Sequence, residues 1–221
     1  MKGVDLYITD KYRPLFVAFG GIAQQLSMPP FEFKNFLTNN FGDVNFIFIR
    51  DMEQAWYYNG IRGLSTNHDL NIDTLNLLIN QTEHTKTIFL GNSMGGYASI
   101  LYGALLDVDH VLAFAPQTFI NKDKRVNNGD HRWPKEMNRL HSKIPTHPSY
   151  DLSDLLPKTN YDTDIKVFCG GQSKLDIIHA DNVKGLKNVD IHVEQKGSHG
   201  VIKDLKNNGK LADIINDILN D

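Results

Sequence analysis

Apolar residues in this chain come in short runs separated by longer, mixed stretches. Leu15-Phe16-Val17-Ala18-Phe19 is the first clear run and stops at Gly20-Gly21. Val44 to Ile49 follows and stops at Arg50-Asp51; then come Thr87 to Leu90, Val111 to Phe114, Ile165 to Cys169 and Val189 to Val193. These runs are rich in β-branched and aromatic residues and are bounded by Gly, Pro or charge, which predicts strands. Several are apolar on both faces, the pattern of a sheet covered on both sides. Asp5 to Thr9 alternates weakly and reads as an edge strand.

The stretches between have a different period. Phe33, Phe36 and Leu37 follow Pro29-Pro30; Ile72, Leu75, Leu78 and Ile79 form one stripe, and Tyr97, Ile100, Leu101, Ala104 and Leu105 another. Leu211, Ile214, Ile215, Ile218 and Leu219 close the chain at i, i+3, i+4, i+7, i+8, the spacing of a helix with one buried face. Strand and helix in alternation predict an α/β fold: a mostly parallel central sheet with right-handed crossovers and helices on both faces. One segment, 116–163, breaks the alternation. It holds five prolines and a mostly polar run from Asn121 to Asp130. A connection this long inside a compact domain is expected to be a lid- or cap-like insertion or to carry small helices of its own.

Composition narrows the function classes. The chain has 221 residues, 41% hydrophobic and 22% charged, with a net charge of −3. That length supports one full core, so a single domain over 1–221 is expected, with 116–163 inserted in it. The charge balance gives no reason to expect nucleic acid or an anionic membrane as partner. The apolar runs are too short for a bilayer span. The first ten residues carry acidic groups where a secretory signal needs an apolar stretch. The expectation is a soluble, cytoplasmic protein. Cys169 is the one cysteine, which rules out an internal disulfide and a multi-cysteine metal site.

The candidate chemistry centres on Gly91-Asn92-Ser93-Met94-Gly95, between the strand ending at Leu90 and the helical stripe from Tyr97. A serine on so sharp a strand-to-helix turn needs small residues two before and two after it. Its hydroxyl then projects from the sheet's carboxyl end. The bland alternative is a tight turn whose serine only caps a helix. A serine nucleophile at neutral pH needs a base. Of nine histidines, His199 in Gly197-Ser198-His199-Gly200 follows the last strand and precedes the last helix, which brings it to the same end of the sheet. An acid to orient that imidazole should follow the strand ending at Cys169. Asp176 is the first choice and Asp181 the second; the competing reading makes Asp176 a favourable charge at a helix N-terminus.

These residues, in this order, resemble the α/β-hydrolase superfamily in its serine-esterase-like form, and the resemblance covers almost the whole chain. Many members carry the acid three residues after the glycine ending its strand. Here those positions hold Ser173, counted from Gly170, and Lys174, counted from Gly171. The resemblance therefore assigns the role to Asp176, slightly later. It also implies an oxyanion hole made by the amide of Met94 and that of Gly21, with Ile22 as the alternative, in the turn Phe19-Gly20-Gly21-Ile22. Ile22, Asp51, Trp56, His131 and Trp133 are candidate substrate-pocket residues; packing of loops on the domain is an equal reading for them, and Asp51 could pair with Arg50 or cap a turn. Neighbouring His and Asp at 130–131 and 179–181 lack a full ligand set, and no phosphate-loop lysine follows the glycines. No metal and no cofactor are expected. Three functions follow: hydrolysis of a small-molecule ester or thioester through an acyl-enzyme on Ser93; acyl transfer by the same residues; or a non-catalytic accessory or binding protein on this scaffold.

Overall fold

The structure is a computed structural model and describes residues 3–9, 12–22 and 31–221; the Pro29-Pro30 pair lies outside them. The six apolar runs become strands of one sheet: β2 (Arg13–Phe19), β3 (Asn45–Ile49), β4 (His84–Asn92), β5 (His110–Phe114), β6 (Asp164–Gly170) and β7 (Val189–Glu194). The weakly alternating N-terminal stretch forms β1 (Val4–Tyr7), which pairs antiparallel with β3 at the sheet's edge. All other pairings are parallel. β4 extends beyond its apolar centre because its polar ends are still paired, His84 with Arg13 and Asn92 with Phe114.

Alternate residues of the central strands supply two cores. Leu15, Val17 and Phe19 face one way, against α2 (His68–Asn80), α3 (Met94–Leu106) and α7 (Lys174–Val183). Phe16 and Ala18 face the other way, with Phe46 and Phe48, against α1 (Lys34–Asn40), α8 (Val201–Asn207) and α9 (Lys210–Asn220). Burying each such Phe or Leu is worth about 1.5–3 kcal/mol. The two-sided apolar strands thus explain both helical layers.

The strand order is β1-β3-β2-β4-β5-β6-β7. The chain therefore builds outward from β2 in one direction, to β3, then returns to its other side at β4. The helix after β2 packs on one face and the helix after β4 on the opposite face. Gly20-Gly21 and the Ser93 turn therefore lie side by side at the carboxyl ends of neighbouring strands β2 and β4, the switch point at which ligands of open α/β sheets bind.

Segment 116–163 carries small helices: α4 (Lys122–Asn127), α5 (Pro134–Lys143) and α6 (Leu152–Leu155), with 3₁₀ turns at Pro148–Tyr150 and Leu156–Lys158. Phe119, Ile120, Met137, Leu140, Tyr150, Leu152 and Leu156 are buried, so the segment is packed onto the domain. Its helices are too short and proline-interrupted to show in a 3.6-residue period.

Candidate active site

The turn after β4 has the geometry its sequence demands. Ser93 has φ 53° and ψ −113°, a strained backbone for any residue but glycine. It is held there by its amide, which donates to the Phe114 carbonyl at 2.8 Å, and by its carbonyl, which accepts from Tyr97 at 3.0 Å. A Cβ on Gly91 would stand 2.1 Å from the Gly95 carbonyl oxygen, and one on Gly95 would stand 2.1 Å from that of Phe19. Both positions are therefore closed to any side chain. The Met94 amide opens α3, where no intrahelical partner exists. The Ser93 hydroxyl is buried and has no hydrogen-bond partner, so it makes no bond to an imidazole in this state.

Two loops bring His199 and Asp176 together. Gly170 ends β6, and a Cβ there would lie 2.2 Å from the Ser198 carbonyl oxygen; its absence lets the His199 loop press onto the end of β6. Asp176 stands in the first turn of α7, whose N-cap is Ser173. The position three after Gly170 is thus a helix cap, and the carboxylate comes one helical turn later. His199 Nδ1 and Asp176 Oδ1 are 2.8 Å apart. The Asp176 side chain is fully buried, while that of His199 is 38% exposed. Asp176 is thus an N-terminal helix charge and also the carboxylate that faces His199. Asp181, the second choice, is exposed.

Asp176 has a second partner that sequence reasoning missed. Arg132 Nη1 donates to the same Oδ1 at 3.1 Å. The rest of that guanidinium grips Asp130, with Nε on Oδ1 at 2.9 Å and Nη2 on Oδ2 at 3.1 Å. His179 Nε2 lies 3.0 Å from Asp130 Oδ2. A chain of contacts His199–Asp176–Arg132–Asp130–His179 therefore runs from the half-exposed His199 ring into the interior. Burial works against the Asp176 carboxylate, but the bond from His199 and the charges of His199 and Arg132 outweigh it and hold the group below its ordinary range. Asp130 is likewise held far below its ordinary value, its bonds from His179 and Arg132 overcoming burial. The adjacent histidine and aspartate at 130–131 and at 179–181 do not ligate as neighbours; the fold pairs His179 with Asp130 across 49 positions.

Glu32 is the other residue without a sequence signal. Its carboxylate accepts from the Gly21 amide at 3.0 Å and from Asn92 Nδ2 at 2.7 Å. Burial raises its pKa, opposed by those two bonds and by the nearby charge of His199. In this state the expected Gly21 donor is occupied by an acid from the segment leading into α1. Ile22, the alternative, is buried in the core.

The pocket candidates separate. Asp51 accepts the amides of Glu53, Ala55 and Tyr57 at 2.9, 2.6 and 2.9 Å; it is a buried turn cap with its acceptor positions spent. Trp56 is fully buried and donates Nε1 to Gln117 Oε1 at 3.1 Å. The Gln117 backbone amide in turn donates to the Ser93 carbonyl at 3.4 Å, so Trp56 supports the Ser93 turn from behind. Trp133 is half-buried against the core, and His131 is exposed beside α4 and α5. Among the described residues, His68, Asp69 and His147 hold ligand atoms within 4.8 Å of one another. His147 Nδ1 accepts from the Ser149 amide, which leaves its proton on Nε2 and makes this a hydrogen-bond cluster with Tyr102 and Ser149.

No family model matches the chain, and no curated protein sequence matches it. Solved structures do. The capsule O-acetyltransferase of Neisseria meningitidis serogroup A is 15% identical, covering all of this chain and 93% of its own, with a TM-score of 0.65. A brefeldin A esterase, a bacterial homologue of human hormone-sensitive lipase, is 14% identical, covering all of this chain and 76% of its own, with a TM-score of 0.63. Acetyl xylan esterase 1 from Thermoanaerobacterium is 14% identical over 86% of this chain and 71% of its own, with a TM-score of 0.56. With the sheet order, the turn at Ser93 and these likenesses together, the chain has the α/β-hydrolase fold.

Proposed function

We propose that this protein is a serine hydrolase of carboxylic esters or thioesters, working through an acyl-enzyme on Ser93. The observation that carries the reading is the 2.8 Å contact of His199 with buried Asp176 at the carboxyl end of the sheet that also holds the Ser93 turn. Ser93 Oγ attacks the acyl carbon and its proton passes to His199 Nε2. Asp176, bonded at Nδ1, fixes the tautomer that leaves Nε2 free to accept and stabilises the imidazolium that forms. The oxyanion takes the amide of Met94 and, once the Glu32 carboxylate has swung off it, that of Gly21. Each such donor is worth about 3–4 kcal/mol of barrier. The C–O or C–S bond breaks, the leaving group takes the proton from His199, and water then repeats the sequence to release the acid. The substrate is a small molecule; neither nucleic acid nor a membrane enters this reading, and a cytoplasmic location goes with it.

Acyl transfer is the second reading. It uses the same first half-reaction, with an alcohol in place of water. The O-acetyltransferase likeness over the whole of this chain favours it, and that protein has also been solved with CoA bound. Fluorophosphonate labelling followed by intact mass tests what the two share. One adduct is expected on the wild type and none on Ser93→Ala or His199→Ala. No adduct on folded wild type would leave the accessory-protein reading. Product analysis of an acetyl thioester with an added alcohol panel then separates the two: free acid alone supports hydrolysis, an acylated alcohol supports transfer.

A further inference from the structure

Between the start of α1 and the α8–α9 pair lies a groove of about 180 Å³. Phe33 and Leu211 are buried and form its floor, and Phe33 is backed by Phe114 of β5, ring to ring at 6.3 Å. Phe36 and Ile202 form its sides and are only half-buried, so part of their apolar surface faces the groove. Lys203 and Lys206 are exposed at its mouth. The Lys206 ammonium lies over the Phe36 ring at 5.5 Å and steadies that wall. Glu32 lines the groove too, and it is the link to the reacting residues. Its carboxylate accepts from the Gly21 amide and from Asn92, the residue before Ser93, and it feels the charge of His199. The opposite wall has a link of its own: Ile202 follows His199 by three residues, in the first turn of α8.

We propose that this groove holds the apolar part of the substrate's leaving alcohol, a group about the size of a benzene ring. The inference rests on the ester-hydrolase reading above and names a substrate class for it. When the C–O bond of the ester breaks, the alcohol oxygen takes its proton from His199 Nε2. The first atoms of the alcohol must therefore lie beside His199, and the wall that begins there is α8, with Ile202 facing the groove. The volume fits one ring, since an apolar cavity of about 150 Å³ holds benzene. The lining fits as well: Phe33, Phe36, Ile202 and Leu211 offer aromatic faces and branched apolar side chains to an aryl group.

The test compares two isomers, benzyl acetate and methyl phenylacetate, which carry the same ring on opposite sides of the ester. Methyl acetate is the reference without a ring. In kcat/KM, benzyl acetate is expected to exceed methyl acetate by about tenfold or more, and to exceed methyl phenylacetate several-fold. Phe36→Ala opens one wall and Ile202→Trp fills the groove. Each should cut the ratio of benzyl acetate to methyl acetate by about threefold or more. Binding is read without turnover from the Ile202 Cδ1 methyl signal, assigned by its loss in Ile202→Val. That signal should shift saturably with benzyl alcohol and stay still with methanol. A preference for methyl phenylacetate, or an unchanged ratio in both folded variants, would overturn the proposal. Ester turnover with an unmoved Ile202 signal would overturn it too, and leave the hydrolase reading standing. A saturable shift with no ester turned over would take down the hydrolase reading and leave aryl binding in the groove.

Discussion

At the scale of single residues, the site turns on what surrounds His199. Asp176, Arg132 and Glu32 all act on it, and they come from three separate parts of the chain. Arg132 carries the cation nearest the triad-like pair. Replacing it with Met removes a cation that helps hold the buried Asp176 carboxylate ionised, so the carboxylate pKa should rise. Arg132→Met should then lower kcat/KM for a small ester by about tenfold, while Arg132→Lys keeps most of it. Unchanged turnover in the Met variant would make Arg132 a scaffold only. Glu32 acts in the other direction. It holds the Gly21 amide with a charge-assisted bond, worth about 1.5–3 kcal/mol. Glu32→Ala is therefore expected to raise kcat/KM for a small acetyl ester by about tenfold; a fall would place Glu32 within the reacting machinery. The placement of Ser93 and His199 at the carboxyl end of the sheet was legible in the sequence because each lies in a short glycine-bounded motif at a strand end. Arg132 and Glu32 were not, because nothing in their neighbours distinguishes them from surface charges. Only the fold desolvates them against a partner 44 or 11 positions away.

At the scale of elements, β2 and α3 depend on a contact that a single methyl would block. Gly95→Ala sets a Cβ 2.1 Å from the Phe19 carbonyl oxygen, backbone against backbone, with no side chain free to yield. The variant should lose more than about 2 kcal/mol of stability and melt several degrees lower, with labelling of Ser93 lost as β2 and α3 part. A melting curve overlying that of the wild type would show that the turn has slack. Apart from the polar start of β4, the strands were readable to within a residue or two because most are apolar on both faces, and the long helices because their stripes persist. The 116–163 segment was readable only as an interruption. Its helices span ten residues at most, too few for a period to stand out, and their burial depends on the sheet they cover.

At the scale of the whole molecule, acid stability follows from histidines the fold buries uncharged. Burial, aided by nearby His147, lowers the pKa of His68 to about 4. The unfolded chain therefore binds a proton that the folded one refuses between pH 6.5 and 4. Stability is full above that window and falls as pH drops through it, by up to about 3 kcal/mol from this group. His141, His147 and His179 are lowered as well. Urea unfolding at pH 7 and pH 5 should show the wild type losing stability at the lower pH and His68→Gln losing less of it; equal losses would assign the effect elsewhere. What the sequence by itself determined was the layered α/β architecture, the turn that strains Ser93, and the loop that carries His199. All of these are local: a periodicity, a steric demand for glycine, a position beside a strand end. The tertiary structure alone decided which carboxylate meets His199, which acid occupies the Gly21 amide, and that His179 serves Asp130. Those pairings are long-range, and their energies come from burial, which has no value until the chain has folded around them.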